Sequence, residues 1–365
     1  MNTLRLSGEY PKRIYGSIAL LLALLAVESC AQPYTKQEAY TYRNLTIFLI
    51  QGEDQIKRNY VTLEEAMDRK IITLRETGNV GQLSVDNLSD DHVFIMAGDI
   101  VKGGKQDRTI GEDIVLDPKS KNIPLKSFCV EQSRWQRRGN ESTAAFSVSK
   151  NTLSSRNQKV AARAYKNQQQ VWSEVSKYQE QAGNNVKADV KSKESATSLQ
   201  LTLENDQLKE KVAEYVKALQ PAFHHQKNIL GFAFCINGKV STVEIFGNAS
   251  LFSRLQEKLL EAAAYEAFSQ FDEKLVFAVP DMKNVDDFIA RAETGEETIT
   301  KTAKNMTEHK KQTGQEITFR VFNTDAGPQP LHVSIYNTDD MAGNQLKQQS
   351  FEYGGFRNVL QRPQR

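Results

Sequence analysis

Two strand-like runs, GFAFCI (231–236) and KVSTVEIF (239–246), are separated only by Asn237-Gly238. A two-residue type I′ turn needs positive φ at both central positions, and Asn followed by Gly meets that need at low cost. The stretch is therefore read as a β-hairpin, and its neighbours take their meaning from it. A helix follows over 250–271, then an apolar run, LVFAV (275–279), read as a buried strand ended by Pro280. TFRVF (318–322) and LHVSIY (331–336) flank NTDAGPQP and predict a second hairpin.

Upstream of the first hairpin the periodicity changes twice. Strands are suggested at 42–50, 80–85, 92–97, 110–116 and 125–131, punctuated by Asn, Asp, Gly and Pro. A short helix over 62–69 begins with Thr62 and has Glu65 three residues on, the pattern of a capping box. From 158 to 181, Val160, Ala164, Val171, Val175 and Tyr178 recur at helical spacing. The polar segment 183–198 reads as a loop, and a second helix carries Leu208, Val212, Val216 and Leu219 before Pro221 stops it.

The expected fold class is α+β, with a β-rich part (42–135), a helical middle (158–219), a hairpin–helix–strand unit (229–280) and a C-terminal hairpin (317–337). These are read as one domain over 36–340, between a signal sequence (1–30) and a polar tail (341–365). The signal reading rests on Lys12 and Arg13 followed by the uninterrupted apolar run IALLLALLAV (18–27), too short to span a bilayer as a mature helix. The ending VESCAQ permits two readings: lipidation of Cys30, or ordinary cleavage after small residues. The chain is thus expected to be exported, either lipid-anchored in the cell envelope or periplasmic or secreted. Its only membrane contact would be through an anchor at Cys30.

A formal charge of +2 on 365 residues lacks the basic excess of a polyanion binder, so no nucleic-acid partner is expected. Cys129 and Cys235 lie in apolar runs and read as buried free thiols. His92, His224, His225, His309 and His332 form no HxxxH or HExxH pair, so no metal site is predicted, and no cofactor is implied. His332, in LHVSIY, reads as a satisfied strand histidine.

The densest polar cluster is GDIVKGGKQDR (98–108) with CVEQSRW (129–135). Two strands of one sheet would bring Lys105, Gln106 and Arg108 near Glu131, Gln132 and Arg134. Gly103 and Gly104 would let backbone N–H groups approach an anion. One reading makes this an anion or nucleotide-like site held by Arg108 or Arg134, whose forked donors suit phosphate or carboxylate. The other makes it a structural network of Arg–Glu and Gln–backbone pairs. Sharper motifs fail on spacing: five residues separate Gly98 from Gly104-Lys105, where a P-loop has four and continues with Ser or Thr. Four separate Cys129 from Arg134, where cysteine phosphatases have five, and a buried thiol is inert.

GGKQDR (103–108), IPLKSFCVEQSRW (123–135), QQVWSEV (169–175), LGFAFCINGKVSTVEIFGNASLF (230–252) and KLLEAAAYEA (258–267) together resemble the ARG and rhodanese-phosphatase superfamily-associated protein domain family. The resemblance runs from about residue 40 to 340. Gln106, Arg108, Cys129, Glu131, Gln132, Arg134 and Trp135 match the family's polar run, while Ser133 stands where a glycine is expected. The resemblance implies no reaction of its own, and the family's name points toward nucleotide-derived or ADP-ribose-like ligands. Two functions are therefore carried forward, with catalytic residues unassigned. One is a non-catalytic ligand-binding or interaction protein of the cell envelope, taking a small anionic or nucleotide-like molecule. The other is a hydrolase acting on a phosphate- or ADP-ribose-containing substrate, with Glu131 or Asp107 as general base.

Overall fold

A computed structural model of the protein describes residues 34–132, 134, 146–224 and 226–341. The signal sequence with Cys30, Ser133, Trp135, His225 and the tail from 342 lie outside the described residues.

Strand β1 (Tyr34–Tyr42) pairs antiparallel with β2 (Leu45–Gly52). The short β3 (Val61–Thr62) leads into α1 (Leu63–Asp68). At its start the Thr62 hydroxyl accepts from the Glu65 N–H, and the Glu65 carboxylate accepts from the Thr62 N–H, completing the capping box. Then come β4 (Ile72–Glu76), β5 (Gln82–Asn87), β6 (Val93–Ile95), β7 (Asp99–Gly103), β8 (Arg108–Ile110), β9 (Ile114–Leu116), β10 (Ile123–Cys129) and β11 (Phe146–Leu153). They form a six-stranded sheet, β11-β7-β8-β10-β5-β4, beside a three-stranded one, β3-β6-β9. Leu74, Leu83, Val85, Val93, Ile95 and Ile110 fill the core between them.

The helical middle is more broken than its periodicity predicts. One helix is expected across 158–181, but the chain forms α2 (Arg156–Lys159), a π-turn at Val160–Ala164, and then α3 (Gln168–Val186). The break has a local cause. Lys166 sits at φ +50°, where no helix continues, and the Asn167 side chain accepts from the Gln170 N–H to start α3 afresh. Val160, Val171, Val175 and Tyr178 are buried as the stripe requires. The segment read as a loop from 183 gives its first four residues to α3, and Val190 within it is buried. Ser198 then caps α4 (Leu199–Leu203). Helix α5 (Asp206–Leu219) buries Leu208, Val212 and Leu219, and passes into a 3₁₀ turn, Gln220–Phe223, containing Pro221.

The hairpin forms as expected. Strands β12 (Ile229–Ile236) and β13 (Lys239–Phe246) join at Asn237 (φ +51°) and Gly238 (φ +78°). After α6 (Ala249–Ser269) and α7 (Met282–Glu293) come β14 (Glu296–Ala303), β15 (Met306–Gln312), β16 (Glu316–Asn323) and β17 (Pro330–Asn337). The hairpin sits at the centre of an eight-stranded antiparallel sheet, β1-β2-β12-β13-β17-β16-β15-β14. Phe232, Phe234 and Phe246 pack with α6 residues such as Leu255 and Leu259 on one face. Ala233, Val243 and Ile245 pack with Val285, Phe288 and Ile289 of α7 on the other. All eight residues of β12 are consequently buried.

One expected strand is absent. LVFAV (275–279) is irregular and largely exposed, with Val276 94 % and Val279 57 % accessible. Both outer edges of the hairpin are already taken, by β2 and β17, so this run has no neighbouring edge to join there. The mixed α+β class holds, with seven helices and seventeen strands among the described residues.

Candidate functional site

Antiparallel pairing of β8 with β10 sets Arg108 opposite Cys129, and so brings 103–108 against 129–134 as the sequence predicts. Lys105 and Gln132 are exposed, whereas Gln106, Arg108 and Glu131 are at most 1 % accessible. Their polar groups face each other. Arg134 Nε donates to Glu131 Oε2 at 2.6 Å, and its Nη atoms donate to the Gly104 and Gly103 carbonyls, each at 3.3 Å. Arg108 Nη1 donates to Cys129 Sγ at 2.9 Å and to Gln106 Oε1 at 3.3 Å, while its Nη2 lies 3.6 Å from Glu76. Gln106 Nε2 donates to the Glu131 carbonyl at 2.8 Å.

The backbone N–H groups on either side of Gly104 are also occupied. Gly103 N–H donates to Asp107 and Lys105 N–H to Glu76, while the Ser198 hydroxyl closes on the other Asp107 oxygen. The protein's own carboxylates thus stand where an external anion would. Burial pushes the Cys129 thiol up to about 11, against the pull of the Arg108 charge, and burial takes Cys235 to about 12. Neither thiol is poised as a nucleophile.

A second buried network joins parts far apart in the chain. Arg163, from the π-turn, donates to Asp113 at 3.0 Å, to Glu308 at 2.8 Å and to Ser334 at 3.3 Å. His332 lies between Asp113 (Nδ1, 2.8 Å) and Glu244 (Nε2, 2.9 Å), and Lys159 reaches Glu244 at 3.2 Å. Burial alone would lower the His332 pKa, but the two carboxylates overcome it and hold the ring protonated above its usual range. Three carboxylates (Asp113, Glu244, Glu308) thereby face three cations (Arg163, Lys159, His332). His332 is a satisfied strand histidine, as expected. Its partners carry no signal in the sequence because Asp113 is 219 residues away.

The neighbouring turn of α2 opens onto a cavity of about 290 Å³ between α2, α3 and the end of α6. Asn157 Nδ2 donates both to Glu174 at 3.2 Å and to Asp340 at 3.0 Å. That pairing fixes the amide orientation, since an oxygen could not face two carboxylates. Asn157 Oδ1 then has no hydrogen-bond partner among the described residues, and neither has the Tyr178 hydroxyl. Both residues line the cavity, and they are only 8 % and 5 % accessible.

The carboxylates around this cavity are held in different states. Burial, with Asp340 nearby, raises the Glu174 pKa above its usual range despite Lys177 and Asn157. Burial would raise Asp340 too, but Arg156 and the Asn157 amide hold it below. Arg156 is clamped between Asp340 (2.9 Å) and Glu266 (3.4 Å). An adjacent depression of about 490 Å³ shares Gln270 and Asp340 with it and is walled by Arg156, Leu275 and Val276. The sequence held one signal for this site. Glu174 shares a helix face with Val171, Val175 and Tyr178, and a charge on an apolar face needs a partner.

Among the described residues no group of three or more His, Cys, Asp and Glu is placed to hold a metal ion, and no helix is long and apolar enough to cross a membrane. This α+β scaffold, with its two closed polar networks, coincides with one known domain. The model of the ARG and Rhodanese-Phosphatase-superfamily-associated Protein domain matches residues 34–336, and the chain belongs to that family. No curated protein and no solved structure matches the chain.

Proposed function

We propose that this protein is a non-catalytic binding protein, exported by residues 1–30, that takes a small hydroxyl- or amine-bearing molecule in the cavity beside Asn157 and Tyr178. The observation that carries the reading is the pair of unpartnered buried oxygens on cavity-lining residues. A buried polar group without a partner costs about 1–3 kcal/mol. Since both oxygens are sealed from solvent, a ligand recovers that cost by shifting the wall side chains and donating to them. The wall favours such a donor over an anion: Glu174, Glu266 and Asp340 outnumber the single cavity-lining cation, Lys177. The volume is at the small end for ligand sites, which suits a molecule of sugar or amino-alcohol size. An anion at the 103–108 and 129–134 cluster would find Arg108 Nε unpartnered, but would have to displace the carboxylates that hold Arg134 and the Gly103 and Lys105 N–H groups.

The test is a thermal-shift panel of glucose, myo-inositol and ethanolamine against phosphate and ADP-ribose. A shift with a hydroxyl or amine compound, lost in Asn157→Leu, supports the reading. Stabilisation by phosphate or ADP-ribose alone, lost in Arg134→Ala, would move the site to the other cluster. For export, metabolic labelling with a clickable fatty acid distinguishes the two endings: label that disappears in Cys30→Ala means an anchor, and processing without label means simple cleavage.

A hydrolytic reading of the same cavity rests on Glu174 and Asp340. These carboxylates are held by one amide nitrogen, with pKa values pushed in opposite directions, the arrangement of an acid–base pair. Turnover of a 4-nitrophenyl glycoside abolished by Glu174→Gln, with ligand binding retained, would establish it. Binding without turnover leaves the non-catalytic assignment standing.

A further inference from the structure

Among the described residues, strand β14 ends the eight-stranded sheet, paired only with β15. Its first six residues, Glu296 to Lys301, are all exposed, so the ribbon is open on both faces, and Ile299 is 60 % accessible. A free edge presents unpaired N–H and C=O groups that another strand can complete. Sheet edges are ordinarily blunted, yet here a β-branched run, Thr298-Ile299-Thr300, sits mid-strand with a charge of each sign to either side. The regular pairing with β15 is broken only past Lys301, between Lys301 and Ala303.

We propose that β14 is a homodimer interface, pairing antiparallel with β14 of a second copy about a two-fold axis through Ile299. Opposed residues on paired strands share a face, so such an axis must pass through a residue that meets its own copy. Centring on Ile299 sets Glu297 opposite Lys301 twice, Thr298 opposite Thr300 twice and Ile299 opposite itself. Moving the centre to Thr298 or Thr300 sets no opposite charges against each other, and centring on Glu297 sets like charges in contact. Opposite-charge, Thr–Thr and β-branched pairs are the ones that stabilise adjoining strands. Among the described residues Lys301 has no ion-pair partner, whereas Glu297 pairs with the half-buried His309, at 3.2 Å. The occupant the edge fits is a second copy of this chain, giving a continuous sheet of twice eight strands.

Sedimentation velocity on the full chain, from low micromolar to several hundred micromolar, should show a concentration-dependent dimer. Lys301→Glu should weaken it by about tenfold, since two attractive pairs become repulsive. The double exchange Glu297→Lys with Lys301→Glu should restore it, because only this register puts the exchanged charges opposite each other. Under mild oxidation Ile299→Cys should cross-link, while Thr298→Cys and the unsubstituted chain should not. A monomer at every concentration would overturn the interface, with Lys301 then guarding a lone edge. A dimer indifferent to Lys301→Glu would overturn it as well. Loss in the single variant without rescue in the double would overturn the Ile299-centred register.

Discussion

Glu131 and Arg134 illustrate how a residue can be placed correctly by sequence while its role stays open. Their contact at 2.6 Å lies in a sealed region, so removing one partner strands the other in low dielectric. Glu131→Ala is expected to cost about 3–5 kcal/mol of stability, read by urea unfolding. A small stability change coupled to a lost ligand response would mean that the pair serves binding. The pH dependence follows from His332. Its folded pKa is raised above the unfolded value, so its contribution is full below about pH 6.5 and is lost as pH rises through the folded pKa. Unfolding free energy should therefore decline between about pH 6.5 and the folded pKa, and His332→Gln should flatten that slope. Asp113 acts in the opposite sense: its pKa is held below the usual range, so its share is present above the ordinary carboxylate pKa and fades in acid. That GGKQDR meets CVEQSR was legible because strand pairing is local to one sheet. That most of the cluster's polar groups are already paired was not, because Glu76 and Ser198 come from elsewhere in the chain.

Elements were legible where backbone chemistry is explicit. Asn237-Gly238 and the Thr62–Glu65 box each state a conformation in two or four residues, and both form. LVFAV misled because apolar character alone does not create a free sheet edge. Strands β14, largely exposed, and β15, mostly half-buried, went unseen because they carry no alternation of apolar and polar residues. Helix α7 was also missed, although Val285, Phe288, Ile289 and Ala292 make a narrow buried stripe among charges. Gly231 gives the sharpest test at this scale. A Cβ there would sit 1.9 Å from the Glu244 carbonyl oxygen on the adjacent strand. Gly231→Ala should cost about 3 kcal/mol, the upper range for overpacking, and should loosen the β12–β13 pairing, visible as faster amide exchange across both strands. An unchanged exchange pattern would mean the two strands have room to part.

Over the whole molecule, the Arg163 network ties the N-terminal sheets, the π-turn and the eight-stranded sheet through Asp113, Glu308 and His332. The cavity lies one helical turn away, where packing leaves Asn157 and Tyr178 with oxygens that nothing in the described chain satisfies. A sequence shows which residues are polar, but only the assembled fold shows which of them are left over. Stability and binding should therefore pull in opposite directions at Tyr178. Removing its unpartnered hydroxyl relieves a desolvation cost in the free protein and deletes a contact in the complex. The decisive measurement is paired unfolding and calorimetric titration of Tyr178→Phe beside the unsubstituted chain, with glucose, myo-inositol and ethanolamine as titrants. The account predicts a free protein more stable by about 1 kcal/mol and an affinity at least about tenfold weaker for whichever titrant binds. Unchanged affinity, or no saturable heat from any of the three in the unsubstituted chain, would contradict it.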